Sequence, residues 1–324
     1  MTDRTIQKSP PGTRTSGTRI DASAMSEAQL RQIGAGVHVW IGAGGDSNAG
    51  AIETPHGLIV IDAQQSRELG EKFRDALKFS FKGPFRTIVN THYHLDHVAG
   101  NVAFAGAPIV AHEKTLRALE RETGAFSGEV TVNDAMSKVR MFFGSNFAEL
   151  VPESARTWFF DRVNGAAPMI VLPPSEIFAD RMEVRLPGDT LSMEYWGPAH
   201  CDGDLVICLK NAGVVFLGDL FFHGRFPWFG DCDLSGWIAA LDRVLKMDVK
   251  TVVPGHGAPG SLKDVSAFRD LLAGVRTAVE HALTAGLSED AAVNDILLAD
   301  YAAMPRYKEW MPFNIRSAYR YLCG

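Results

Sequence analysis

Four side chains able to ligate a metal stand within six consecutive positions, in Thr91-His92-Tyr93-His94-Leu95-Asp96-His97. Three imidazoles and a carboxylate at this density read as a metal-binding loop. Successive side chains of an extended backbone point to opposite faces, so His92 and His94 share one side while Asp96 and His97 turn toward another position. One short loop can then serve two ions, provided that other segments complete the ligand sets. Three later residues, each in a turn at an expected strand end, are candidates. His200 lies in Gly197-Pro198-Ala199-His200-Cys201-Asp202-Gly203-Asp204, Asp219 follows the apolar run Val214 to Leu217, and His256 follows Thr251-Val252-Val253-Pro254. Imidazole and carboxylate without thiolate suit zinc first, and also accept iron, manganese or cobalt. Divalent ions sharing a solvent molecule bring its pKa down toward about 7 and supply hydroxide at neutral pH.

These ligands need a scaffold of strands that end where they stand. Apolar runs bounded by turn residues, Val37 to Ile41, Ala49 to Glu53 and Leu58 to Ile61, read as strands, the last closed by Asp62. An amphipathic segment from Arg67 to Phe79 follows, then a buried strand Arg86 to Asn90 that delivers the histidine loop at its C-terminal end. Pro108 to Ala111 and residues 182–187, 190–195, 205–210 and 213–218 form further strands, so the chain is mixed α/β with two groups of strands. Between about 113 and 180 the pattern turns helix-like and aromatic-rich, with Phe142, Phe143, Phe147, Trp158 and Phe159. This segment reads as an inserted subdomain with its own small core or as a lid over an apolar pocket. Ser261-Leu262-Lys263-Asp264 has capping-box spacing and opens a helix to about 285, with a second over about 308–322.

With 324 residues and 46% hydrophobic side chains the chain can bury one large core. A net charge of −6 without a basic run argues for a small-molecule substrate and against a nucleic-acid surface. The four cysteines, Cys201, Cys208, Cys232 and Cys323, form no CxxC pair, which argues against a disulfide framework and for a reducing compartment. Residues 1–35, rich in Thr, Ser, Arg, Gly and Pro, read as a flexible tail with neither a signal-peptide core nor a membrane span. A cytoplasmic protein without membrane partners is the expectation.

The loop, the distant His200, Asp219 and His256, and the early Asp62 resemble, in order and spacing, the metallo-β-lactamase superfamily. The likeness covers residues 36–260 and implies a four-layer αββα sandwich with a binuclear site at one edge, the aromatic segment as an insertion and 261–324 as a helical segment packed on the same domain. It implies His92, His94 and His200 on a first metal, Asp96, His97 and His256 on a second, and Asp219 between them. The bridging aspartate looks like that of the glyoxalase II and lactonase branches, and the segments 218–225 and 236–242 look like those of bacterial hydrolases encoded beside quinoprotein or sulfur-oxidation systems. A homodimer is also in keeping with the resemblance.

A hydroxide held by two zinc ions, oriented by Asp96, would attack the acyl carbonyl of an ester, lactone, thioester or β-lactam amide. Asp62 and Asp204 would accept hydrogen bonds from the outer nitrogens of ligand histidines. Tyr93, His223, Arg225, Trp228, Phe142 and Trp158 are candidate substrate contacts, favouring an apolar or aromatic substrate. Cys201, directly after His200, reads as a small packed side chain rather than a ligand. Iron on the same ligands would instead suit an oxygen-dependent enzyme acting on persulfides.

Overall fold

Short apolar runs, covered on both faces, shape the centre of this chain. In the computed structural model, residues 27–123, 129–130, 169–230 and 232–324 are described. The first half runs β1 (Gln29–Gly34), β2 (Val37–Ile41), β3 (Ala49–Thr54), β4 (Gly57–Ile61), α1 (Arg67–Ser80), β5 (Phe85–Val89), α2 (Leu95–Val98), β6 (Ile109–His112) and α3 (Glu113–Thr123). Two short strands, β7 (Glu129–Val130) and β8 (Met169–Ile170), pair with each other. The second half continues with β9 (Glu176–Phe178), β10 (Arg181–Leu186), β11 (Asp189–Tyr195), β12 (Leu205–Leu209) and β13 (Val214–Phe216). It closes with α4 (Leu234–Val244), β14 (Thr251–Val253), α5 (Leu262–Thr284), α6 (Glu289–Asp295) and α7 (Tyr307–Cys323).

The strands form a sheet in the order β1-β2-β3-β4-β5-β6-β9 and another in the order β10-β11-β12-β13-β14. Alternate residues go to opposite layers. Ile59 and Ile61 of β4 meet Leu191, Leu205, Ile207 and Phe216 between the sheets, while Leu58 and Val60 face Phe73 and Leu77 of α1 on the outer side. Val206, Val215 and Val252 turn from the second sheet toward α4, α5 and α7. Helix, sheet, sheet and helix are therefore stacked through three apolar layers, the expected αββα sandwich. Each buried Leu, Ile, Val or Phe stabilises this stack by about 1.5–3 kcal/mol. Gly50, on β3 between the sheets, has no room for a side chain, since a Cβ there would lie 2.4 Å from the Phe216 ring.

Helix α1 starts where Ser66 Oγ accepts the Leu69 N–H at 3.2 Å, and buries Phe73 and Leu77 on one stripe. The capping box at α5 is present, with Asp264 Oδ2 accepting the Ser261 N–H at 2.9 Å. Among the described residues no helix is long and apolar enough to cross a membrane.

Two boundaries differ from the sequence reading. Residues 29–34 are not tail but an edge strand antiparallel to β2, hidden in the sequence because it offers only Leu30 and Ile33 to the apolar layers. Within the aromatic-rich span, α3 packs on the main sheet and β9 pairs parallel with β6, so both ends of that span belong to the sandwich. Phe142, Phe143, Phe147, Trp158 and Phe159 lie outside the described residues, as do residues 1–26 of the tail.

Candidate metal centre

Parallel pairing decides where the candidate ligands meet. β4 and β5 run parallel, as do β13 and β14, so their C-terminal ends open on one edge of the sandwich. Asp62 closes β4, the histidine loop follows β5, Asp219 follows β13 and His256 follows β14. His200 joins them from the β11–β12 connection. All seven candidates therefore reach one edge, in two groups that share Asp219: His92, His94 and His200 on one side, and Asp96, His97 and His256 on the other. Within each group one ligand atom per residue lies within 4.8 Å of the others.

Asp219 divides its two oxygens between the groups. Oδ1 is 3.2 Å from His97 Nε2 and 3.5 Å from His256 Nε2, while Oδ2 is 3.9 Å from His92 Nε2 and 3.8 Å from His200 Nε2. Asp96 Oδ2 lies 3.1 Å from His256 Nε2 and 3.6 Å from His97 Nε2. His92, His97, His200 and Asp219 are almost fully buried, and Nε2 of the three histidines and Oδ1 of Asp219 have no hydrogen-bond partner. Buried polar atoms without partners are costly, and here they converge. That donor set fits a pair of divalent cations: imidazole and carboxylate, no thiolate, and one carboxylate facing both halves.

Electrostatics separate the halves further. Burial opposes charge on His97, but Asp219, Asp96 and Asp62 outweigh it and hold its pKa well above that of a free imidazole. His256 is raised in the same way, its burial being outweighed by Asp219. In the other half burial wins, helped by neighbouring histidines: His92 is well below the ordinary value and His200 falls to about 3. Asp219 is buried and Asp96 partly exposed, and His97 and His256 pull both carboxyls well below the usual range.

The supports fall into place unevenly. Asp62 accepts the Thr91 N–H at 2.8 Å and the Thr91 hydroxyl at 2.7 Å, and its Oδ2 lies 2.9 Å from His97 Nδ1. Thr91 Oγ1 is in turn 3.0 Å from His92 Nδ1, so one carboxylate orients both rings. Asp204 departs from expectation. It is 4.0 Å from His200 Nδ1 and accepts instead from the Cys201 backbone at 2.7 Å and the Cys201 thiol at 3.1 Å, because a tight turn brings those donors nearer. Burial raises the Asp204 pKa to about 7.

Among the substrate candidates, Tyr93 is buried with Val98, Leu119 and Cys201 behind the loop, edge-on to His94. His223 is bonded to the Ala258 carbonyl at 2.7 Å and tethers the turn after His256. Trp228 packs on Trp310 and Phe313 of α7. Arg225 is 7% exposed, with Nη1 3.1 Å from His256 Nδ1. All four side chains make contacts within the protein; Phe142 and Trp158 lie outside the described residues.

Several contributors were not among the site residues expected from the sequence. Phe222 stacks on His256 at 5.3 Å and Trp237 meets His200 at 5.0 Å, forming an apolar wall behind both halves. Asn48 donates to the Pro254 and Gly257 carbonyls at 2.9 and 2.7 Å and braces the His256 turn. Gly255 passes so close to Asp219 that a Cβ would sit 1.9 Å from Oδ1. Only its place in a Pro-Gly-His-Gly turn hinted at that constraint.

A profile of the metallo-beta-lactamase superfamily matches residues 42–256. The α subunit of a 2,4-dinitroanisole O-demethylase from Nocardioides sp. is 26% identical over 78% of this chain and 65% of its own length. A linear primary-alkylsulfatase from Pseudomonas sp. is 25% identical over 78% of this chain and 50% of its own length. The chain thus spans about half to two-thirds of these relatives. The solved structure of an inverting sec-alkylsulfatase from Pseudomonas sp. superposes with a TM-score of 0.68 at 18% identity, covering 90% of this chain and 50% of that one. A metallo-beta-lactamase from Pontibacter korlensis does so with a TM-score of 0.54 at 21% identity, covering 76% and 98%.

Proposed function

The chain belongs to the metallo-beta-lactamase superfamily of metal-dependent hydrolases, and from that premise we propose that it is a binuclear hydrolase in which Asp219 bridges two divalent ions. The division of the Asp219 oxygens between the two histidine groups carries this reading. His92, His94 and His200 would hold one ion, and Asp96, His97 and His256 the other, zinc being the first choice. When bound, such ions supply hydroxide at neutral pH and polarise the bond to be broken.

The protein's own groups would position the reaction. Asp96 is the most exposed of the clustered carboxylates, with 39% of its side chain accessible, so it faces incoming solvent. It would orient the attacking water and take its proton. Asp62 and Thr91 fix the rings of His97 and His92, keeping Nε2 of each turned inward. The proposed substrate is an ester, lactone, thioester or β-lactam amide with an apolar or aromatic body. The aromatic-rich sequence containing Phe142 and Trp158 supports that preference.

A second reading, cleavage of a sulfate ester or an aryl ether, is favoured by the activities for which the O-demethylase and alkylsulfatase relatives are named. Elemental analysis of the purified protein followed by hydrolysis assays separates these cases. Two ions per chain with turnover of aryl esters, thioesters, lactones or β-lactams supports the first reading. Turnover confined to alkyl sulfates or nitroaryl ethers moves the function to the second. A single iron per chain, with oxygen consumption on persulfide, would overturn both.

A further inference from the structure

Three ligand histidines have an outer nitrogen with a defined neighbour, and one neighbour is of the opposite kind from the others. His97 Nδ1 faces the Asp62 carboxylate at 2.9 Å, and His92 Nδ1 faces the Thr91 hydroxyl at 3.0 Å. His256 Nδ1 faces a guanidinium, Nη1 of Arg225, at 3.1 Å. A carboxylate behind a ligand ring accepts its outer N–H and makes the inner nitrogen a better donor to metal. Guanidinium has only donors, so the contact with Arg225 requires a lone pair on Nδ1. The proton of a neutral His256 ring then sits on Nε2, which faces Asp96 at 3.1 Å and Asp219 at 3.5 Å.

Arg225 is held in that place. Its Cζ lies 4.5 Å from the Trp310 ring centre and 5.8 Å from that of Phe222. Its loop is fastened to the C-terminal segment beyond the family match. Phe226 N–H donates to the Pro305 carbonyl at 2.9 Å, Phe229 N–H to Asn314 Oδ1 at 3.1 Å, and Asn314 Nδ2 to the Pro227 carbonyl at 2.8 Å.

We infer that Arg225, seated by Trp310 of α7, is a positioning residue that weakens the hold of His256 on the second ion. To ligate through Nε2 the ring must give up or relocate that proton, lose the Arg225 hydrogen bond, and accept a divalent charge beside a fixed cation. The inference rests on the two-ion reading above. It makes the Asp96, His97 and His256 half the weaker one, with its affinity set partly by the C-terminal helix.

The test is stepwise zinc affinity of the full chain, measured by chelator competition on the metal-stripped protein, with melting temperature as a fold control. Wild-type protein is expected to take two ions with unequal affinity. Arg225→Met should tighten the weaker step about tenfold, the scale of a contact behind a ligand histidine, and leave the stronger one unchanged. Arg225→Lys, which keeps the charge, should stay near wild type. A Met variant with an unchanged or weaker second step overturns the inference, since a purely structural arginine would loosen the site on removal. If the Met variant does not fold, Trp310→Leu takes its place: a tighter second step supports the inference and an unchanged or weaker one overturns it. Uptake of a single zinc by wild type would overturn the two-ion reading instead.

Discussion

Asp62 Oδ2 lies 2.9 Å from Nδ1 of His97, so the carboxylate that closes β4 fixes a ring delivered by the loop after β5. The two residues are 35 positions apart and meet because β4 and β5 run parallel. Asp62→Asn keeps the volume but removes the charge that favours Nδ1–H. Affinity for one zinc ion should fall about 10- to 100-fold, measured by chelator competition. Unchanged affinity for both ions would remove Asp62 from the site.

Among the described residues, Asp219 is the one carboxylate shared by both groups, and Asp219→Ala removes it. Metal content should drop to one ion per chain or fewer, with loss of hydrolysis. Elemental analysis showing two retained ions and full activity would contradict the bridging role.

Metal loading should release protons from one half of the site. Asp219 and its neighbours hold His97 well above the ordinary imidazole pKa, so the metal-free protein keeps an extra proton on that ring. Burial keeps His92 and His200 neutral. An ion entering beside His97 therefore displaces the proton on that ring, whereas the two buried rings of the other half give up none. As pH falls, proton competition should weaken the former step first. Calorimetry in two buffers of different ionisation enthalpy measures the release, and equal release for both steps would contradict this account.

Gly255→Ala tests the packing behind the bridge. A methyl 1.9 Å from Asp219 Oδ1 forces the carboxylate to move by over about 1 Å, a displacement that can cost a hundredfold in rate. Loss of zinc affinity in a folded variant is expected. A variant with wild-type metal content and activity would show that the turn can yield elsewhere.

Much of this was legible in the sequence because the signals are local. The His92 to His97 loop is contiguous, and the apolar runs of β2 to β5 and β11 to β13 mark strands covered on both sides. The edge strand β1 escaped notice because an edge buries few residues. α6 escaped because Glu289–Asp295 is short and buries only Ala292.

The sequence alone therefore determined which residues can ligate metal and that strands must end beside them. Tertiary structure decided how each side chain is used. It gave Asp219 one oxygen for each half, set Asp62 behind His97, turned Asp204 to Cys201, and placed Arg225 rather than a carboxylate behind His256. The physical reason is reach. Hydrogen bonds act over about 3 Å, and which groups come that close depends on strand pairing and on chain returns as long as the 206 residues separating Asn48 from Pro254.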